Sequence, residues 1–306
     1  MSQQEITARH HAIMNRLFKS PATLKEINQY LSNESEIQEY KLTVSNRTFQ
    51  RDRKDILSGY QISIECEKSK NRYYIEDTGH TALNNRILDA FNFVTACRST
   101  TGMNDYMELE THSSSGSENL HGIIHALKNK FQLNITYQSY WDDEAKSRSV
   151  QPYLLKEFKN RWYLFALDIE KNSLRTFALD RLKGIDITKK KFSNHLNKDP
   201  KSYFKDCFGI IAPETREPLE PVILSFTAYQ GNYIKSLPLH HSQEILIDDD
   251  TEVRIKLDVY PTFDLAVQIL SYGENVVVVA PESLRQDIAE RLKQALLKYR
   301  INAKRK

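Results

Sequence analysis

Apolar positions in the first sixty residues recur at helical spacing. Ile6, Ile13, Met14, Leu17 and Phe18 mark one amphipathic helix, which Lys19-Ser20-Pro21 ends. Thr23, followed three residues later by Glu26, has the form of a capping box for a second helix through Ile27 and Leu31. Ser45 is placed to cap a third helix, with Phe49, Ile56 and Leu57 as its buried stripe and Gly59 as its end. The pattern then changes to strand. Ile62 to Glu65, the turn Glu67-Lys68-Ser69-Lys70-Asn71 and Tyr73-Tyr74-Ile75 predict a hairpin.

Helical spacing returns over 80–110 with Leu83, Ile87, Leu88, Phe91 and Val94. A polar loop, THSSSGSEN, follows at 111–119, and Leu120, Ile123, Ile124 and Leu127 restart a helix. Leu133 to Tyr137 reads as a strand and Trp141-Asp142-Asp143-Glu144 as an exposed connection. Residues 161–167 alternate through Arg161, Tyr163, Phe165 and Leu167, turn at Glu170-Lys171-Asn172-Ser173, and return through Leu174 to Leu179. The stretch from Lys189 to Pro213 reads as a crossing connection rather than a core. Beyond it come a strand at 222–228, a short helix at 229–236, strands at 244–247 and 253–259 around the Asp248-Asp249-Asp250 turn, a helix at 263–270, a strand at 276–279 and a terminal helix from Glu282 to Tyr299. In that last helix Leu284, Ile288, Leu292 and Leu296 repeat at turn spacing. The order β-α-β-β-α-β with a final helix predicts a ferredoxin-like layer.

Composition narrows this to a multidomain α+β protein. With 306 residues, 40% hydrophobic and 27% charged, a single core is not expected. No apolar run approaches a membrane span, and MSQQEITARHH lacks the basic and apolar regions of a secretory signal, so a cytoplasmic protein without membrane contact is expected. Cys66, Cys97 and Cys207 are odd in number and far apart, which predicts free thiols rather than a disulfide framework or a zinc ribbon. His112, His121 and His125 have no acidic or cysteine partner at metal spacing, so neither a metal nor a cofactor is expected.

Charge adds the candidate chemistry. The chain carries +3 overall, yet Arg148 to Lys191 holds 11 Lys/Arg against 5 Asp/Glu, a local balance suited to a phosphate or nucleic-acid ligand. Residues 1–80 are near balance, but 41–57 hold five Lys/Arg and two Asp. On the third helix Asn46, Arg47, Gln50, Arg51 and Lys54 share the side opposite the apolar stripe, and the hairpin turn adds Lys68 and Lys70. These types donate to phosphates and base edges, so three helices and a hairpin outline a winged helix-turn-helix.

The middle of the chain resembles the WYL domain of bacterial WYL-family transcriptional regulators. Tyr137, Arg148, Pro152, the Trp162-Tyr163-Leu164 triplet, Arg175, Phe177 and Asp180-Arg181 fall in that family's order and spacing. The resemblance implies an SH3-like or Sm-like barrel that senses a nucleotide or single-stranded nucleic acid, and a C-terminal WCX extension. Two positions depart from the pattern: Ala178, where many members carry a basic residue, and Leu182, where isoleucine is usual. Upstream, SNRTFQRDRKDI resembles the recognition-helix region, with Arg53 where an apolar residue is common, so Arg53 is expected to point outward or pair with a carboxylate. The ligand residues expected are Tyr137, Arg148, Arg161, Tyr163, Arg175 and Arg181, with at least three arginines converging on one anion. Trp162 is assigned to the core and Tyr163 to the pocket.

The organisation expected is a winged helix-turn-helix at 1–79, a helical linker at 80–119, a WYL domain at 120–192, a connection at 193–218 and a WCX-like domain at 219–306. The leading reading is a non-enzymatic regulator that binds a double-stranded DNA operator as a homodimer. Some relatives implied by the resemblance control phage-defence or stress genes. Two other readings stay open: a nucleic-acid-processing enzyme, for which no GxxxxGK[ST], HExxH or GxSxG motif is present, and an adaptor that uses the WYL domain for protein contacts.

Overall fold

The computed structural model describes residues 2–38, 40–76, 116–193, 199–213 and 219–303, with isolated positions 86, 89, 90, 93 and 196. The helix expected over 80–110 falls largely outside them, as do Cys97, His112 and the basic end Lys304 to Lys306. The chain divides into two compact units, Met1–Glu110 and Thr111–Lys306. The fold is multidomain α+β: among the described residues there are seven α-helices and three antiparallel sheets.

The first unit holds α1 (Gln3–Lys19), α2 (Leu24–Gln38), α3 (Asn46–Tyr60) and a hairpin of β1 (Ile64–Glu67) and β2 (Arg72–Ile75). Each helix starts on the residue type that satisfies its free amides. Thr23 and Glu26 form the expected reciprocal box: Thr23 N–H donates to Glu26 Oε2 at 2.7 Å and Glu26 N–H to Thr23 Oγ1 at 3.3 Å. Ser45 Oγ accepts from Thr48 N–H at 3.2 Å. The turn between α2 and α3 is clamped by Asn28, whose amide donates to Val44 O at 2.9 Å and accepts from Val44 N–H at 2.8 Å. Ile13, Met14, Ile27, Leu31, Phe49, Ile56 and Ile62 make the core. β2 also bridges back to Ala22, with Tyr73 and Ala22 exchanging backbone bonds of 2.7 and 2.9 Å.

Two details of α3 differ from expectation. Leu57 is half exposed, because at the C-terminal end of the helix only the Phe49–Asp52–Ile56 side meets the core. The helix runs past Gly59, and the left-handed residue that stops it is Gln61, at φ 59°, whose N–H returns to Leu57 O at 3.0 Å.

The second unit begins with α4 (Leu120–Asn129), which lies on a five-stranded sheet. Its strands are β3 (Phe131–Tyr137), β4 (Lys146–Phe158), β5 (Arg161–Asp168), β6 (Ser173–Ala178) and β7 (Leu182–Lys191), in the order β6-β5-β4-β3-β7. Ile123 and Ala126 of α4 share one core with Leu133, Ile135, Val150, Leu164, Ala166 and Phe177. Lys159 and Asn160, both at positive φ, form the two-residue turn between β4 and β5. Trp162 packs at the edge of that core and Tyr163 is on the other face of the strand, as alternation requires.

The segment after β7 is not merely a connection. Phe204, Cys207 and Phe208 are buried, and Phe204 meets Phe165 of β5 with ring centroids 5.0 Å apart. The sequence reads as a connection there because apolar residues spaced through lysine-rich sequence have no single period. Cys207 and the half-buried Cys66 are free thiols.

The chain closes with β8 (Val222–Thr227), α5 (Ala228–Ser236), β9 (Glu244–Asp248), β10 (Glu252–Leu257), α6 (Phe263–Leu270), β11 (Val276–Ala280) and α7 (Glu282–Ala303). The strands lie in the order β11-β8-β10-β9, all antiparallel, over Leu224, Phe226, Ile255, Leu257, Leu265 and Ile269. Only the first half of the α7 stripe packs there. Leu284 and Ile288 are buried, whereas Leu292 and Leu296 are 46% and 51% exposed because the helix outruns the sheet.

Candidate nucleic-acid and ligand interfaces

On α3, Asn46, Arg47, Arg51 and Lys54 are exposed on one face, in the arrangement that the 3.6-residue period dictates. Gln50 is half buried and held from three sides: its Nε2 donates to Tyr73 Oη and Asn46 Oδ1 at 3.2 Å each, and its Oε1 accepts from Arg53 Nη1 at 2.8 Å. Arg53 bears out the expectation of a carboxylate partner and does more. Its Nη2 lies 3.9 Å from Glu65 Oε2, its Nε donates to Ile64 O at 2.9 Å, and its guanidinium stands 5.4 Å from the Tyr73 ring centre. The third helix is thereby fastened to both strands of the hairpin. Lys68 and Lys70 are exposed at the hairpin turn, where Lys70 pairs with Glu67 at 2.7 Å.

The reverse side of α3 carries a buried charge. Asp52 receives Arg9 Nε at 2.7 Å, Arg9 Nη2 at 2.9 Å and His10 Nε2 at 3.3 Å, while Arg51 reaches it only at 4.0 Å. Burial pushes the Asp52 carboxyl upward, but the bonds from His10 and Arg9 outweigh it and hold the group below the ordinary range. His10, Asp52 and Asp55 stand close enough to share a cation. The bidentate arginine already neutralises that carboxylate, which argues against a metal there.

In the second unit the four arginines separate into two pairs, each around one carboxylate. Asp168, fully buried at the end of β5, holds Arg148 Nη1 at 2.9 Å and Arg175 Nε at 3.9 Å. Asp180, on the short 3-10 turn Leu179–Arg181, holds Arg161 Nη1 at 3.5 Å and lies 3.9 Å from Arg181 Nε. Arg161 and Asp168 are opposite ends of β5, roughly 20 Å apart at about 3.3 Å per residue. The structure therefore places Tyr137, Arg161, Tyr163 and Arg181 in one cluster and Arg148 with Arg175 in another. The separation arises because sequence nearness on a hairpin does not reveal which carboxylate each arginine finds.

Tyr140 completes the first cluster, and no spacing in the sequence had marked it. The Arg181 guanidinium lies between two aromatic rings, 4.6 Å from the centre of Tyr140 and 5.6 Å from that of Tyr137. Tyr140 also hydrogen-bonds to Arg161, which with Asp180 holds that guanidinium more firmly protonated than usual. Tyr137 is buried, edge-on to Phe177 with centroids 5.2 Å apart, and burial raises its hydroxyl pKa. Burial raises that of Tyr163 too, against the Arg161 charge that lowers it. Both phenols therefore stay neutral donors.

Three buried polar atoms here have no hydrogen-bond partner among the described residues: Arg148 Nε, Arg181 Nε and Asp180 Oδ1. Unspent donors on guanidiniums beside aromatic rings are what an anionic, ring-bearing ligand engages. Ala178 is fully buried opposite Tyr163 in the β5–β6 register.

Residues 118–187 match the WYL domain and residues 218–296 match the WCX domain, so the chain carries these two modules in that order, as WYL-domain regulators do. Among solved structures, the chain is similar to the proteasome accessory factor B/C (PafBC) of Arthrobacter aurescens, with 20% identity over 94% of this chain and 46% of that one, at a TM-score of 0.33. It is also similar to a CRISPR Cas-related protein, with 13% identity over 98% of this chain and 86% of that one, at a TM-score of 0.40. This chain thus spans less than half the length of the PafBC chain. No curated protein matches the chain. Among the described residues no helix is long and apolar enough to cross a membrane.

Proposed function

We propose that the protein is a DNA-binding transcriptional regulator in which a winged helix-turn-helix at 1–79 reads a double-stranded operator. A helical linker at 80–119 precedes an SH3/Sm-like WYL barrel at 120–192, which binds a nucleotide or single-stranded nucleic acid. A segment at 193–218, which buries Phe204 and Phe208, leads to a ferredoxin-like WCX domain at 219–306, and the protein acts as a homodimer. The observation that carries the reading is the α3 face. Asn46, Arg47, Arg51 and Lys54 are all exposed on one side of a helix whose other side is locked by Phe49, Asp52 and Ile56. A rigid helix with free arginines on one face suits the major groove. The βαββαβ order with sheet order β11-β8-β10-β9 supports the ferredoxin-like assignment.

A catalytic reading finds little support. Asp168 and Asp180 are each engaged by two arginines, which commits them to positioning cations rather than activating a nucleophile.

The test is fluorescence anisotropy of the full-length protein on duplexes from its own upstream region and on scrambled duplexes, over a range of salt. Tight binding to one native duplex, weakening steeply with salt, supports the reading. Equal affinity for native and scrambled duplexes overturns sequence-specific regulation.

A further inference from the structure

The second unit contains a cationic cavity that none of the four arginines lines. Its volume is about 320 Å³; its charged residues are Lys156 of β4 with Lys201 and Lys205 of the segment after β7, and the imidazoles of His240 and His241, between α5 and β9, line it too. We propose that this cavity is a second anion site, at the seam between the WYL and WCX domains, that takes the phosphate of a nucleoside monophosphate.

Three observations carry it. Among the described residues no carboxylate lines the cavity, and the three lysines make no ion pair. Lys156 is half buried, with its ammonium 5.1 Å from the Phe204 ring centre, and burial lowers its pKa against the opposing influence of Cys207 and Asp264. Asp264 opposes that shift but makes no ion pair with Lys156, and its Oδ2 accepts from the Ile210 and Ile211 amides at 2.8 and 3.2 Å. A desolvated ammonium short of a partner gains most from a bound anion.

The imidazoles are fixed rather than free. His240 Nδ1 lies 2.8 Å from Ser242 Oγ and accepts from Ser242 N–H at 3.3 Å, and its ring stands 4.0 Å, centre to centre, from that of His241. Burial, with the neighbouring His241, lowers the His240 pKa, so this ring is a fixed neutral hydrogen-bonding group on the WCX side, while Lys156 brings its charge from the barrel.

A neighbouring cavity of about 210 Å³ shares Leu154 and Leu155 with the first and gives the ligand its second half. Its walls are mostly apolar, with Tyr153 and Phe192 edge to face at 5.5 Å beside Pro152 and Pro200, and Lys130 is the one charged residue among them. A phosphate in the cationic cavity with a flat apolar base against Tyr153 and Phe192 fits the pair of cavities, and pocket volumes of this order suit small ligands. The site stands apart from the Arg161–Arg181 cluster and does not depend on the function proposed for it.

The experiment is calorimetric titration of the full-length protein with AMP, and with adenosine as the uncharged counterpart. Lys201 and Lys205 are exposed, so Lys201→Glu/Lys205→Glu reverses the charge of one wall without touching a core. AMP should bind more tightly than adenosine, and the double variant should weaken AMP by about tenfold or more, since two charge-assisted contacts become repulsive. Arg161→Ala/Arg181→Ala should leave AMP affinity within about twofold of wild type. Absence of AMP binding overturns the site. So does AMP binding that is lost in the arginine variant but kept in the lysine variant, and that second outcome would leave the arginine cluster as the nucleotide site.

Discussion

Arg9 of α1 and Asp52 of α3 form a bidentate ion pair, at 2.7 and 2.9 Å, in which neither side chain is exposed to solvent. The pair ties the first helix to the back of the third, so the orientation of the exposed α3 face depends on a charge buried beneath it. Removing one partner leaves the other charged and dry, which typically costs about 3–5 kcal/mol. Asp52→Ala should therefore collapse hydrogen-exchange protection in α1 and α3. Arg9→Met/Asp52→Leu, which removes both charges, should recover most of it. Equal loss in the two variants would show that packing, not charge pairing, holds the helices together.

A second buried side chain of α1 makes the first unit acid-sensitive. His11 is buried and sits 3.3 Å from Tyr60 Oη, and burial, with the neighbouring His10, lowers its pKa from 6.5 to about 4. A histidine that stays neutral when folded but protonates when unfolded contributes stability above pH 6.5 that is lost as the pH falls toward 4. The loss amounts to roughly 3 kcal/mol at most. Asp52, also depressed, adds its own loss below about pH 4, near the ordinary carboxylate range. Exchange protection in α1 should fall between pH 6.5 and 5 in wild type and hold steady in His11→Leu. A flat wild-type profile over that interval would remove His11 as the cause.

The helices of the first unit were legible because their signals are local. Thr23 with Glu26, and Ser45 before an apolar stripe, specify their own hydrogen bonds within one turn. The β-α-β-β-α-β order was legible for the same reason, since period and turn chemistry change at each boundary. Long-range partners were not. Nothing adjacent to Asp52 indicates Arg9, 43 residues away, and its sequence neighbour Arg51 reaches it only at 4.0 Å. The arginines of the WYL domain were likewise recognisable as a set, while their division between Asp168 and Asp180 depends on strand register. Tyr140 lies between the strand read as ending at Tyr137 and the connection read from Trp141, and its role appears only when β3 and the Asp180–Arg181 turn come together. Gly116 looked like one more loop residue among serines.

Differences within the α3 face give a prediction about DNA. Arg47 and Arg51 are exposed, while Gln50 is held by Tyr73, Asn46 and Arg53. Arg47→Ala should relax sequence preference by roughly 1–3 kcal/mol, the value of a good base contact. Lys54→Ala should weaken native and scrambled duplexes alike and reduce the salt slope by about one. Gln50→Ala should act differently, loosening the hairpin and weakening all duplexes. Titrations of each variant against native and scrambled duplexes at several salt concentrations separate the three behaviours. Equal losses on both duplexes for Arg47→Ala would exclude it as a base reader.

The turn that carries Asp180 and Arg181 rests against a residue without a side chain. Gly116 adopts φ +92°, and a Cβ there would stand 2.6 Å from Leu179 O and 2.7 Å from Asp180 N, inside any tolerable contact. Its own N–H donates to Glu118 Oε2 at 3.0 Å. Gly116→Ala combines an unfavourable backbone conformation, on the order of 1–2 kcal/mol, with a push on the Leu179–Arg181 turn. Arg181 lies between Tyr137 and Tyr140, and Asp180 steers Arg161, so a displaced turn disturbs all five side chains without changing a single charge. Short single-stranded oligonucleotides should therefore bind Gly116→Ala about tenfold or more weakly, because a shift near 1 Å forfeits well-aligned charge-assisted bonds. Affinity for operator duplex in the absence of oligonucleotide should stay at the wild-type value. Normal oligonucleotide affinity in Gly116→Ala, with the protein folded by circular dichroism, would show that ligand recognition does not depend on the placement of the Asp180–Arg181 turn.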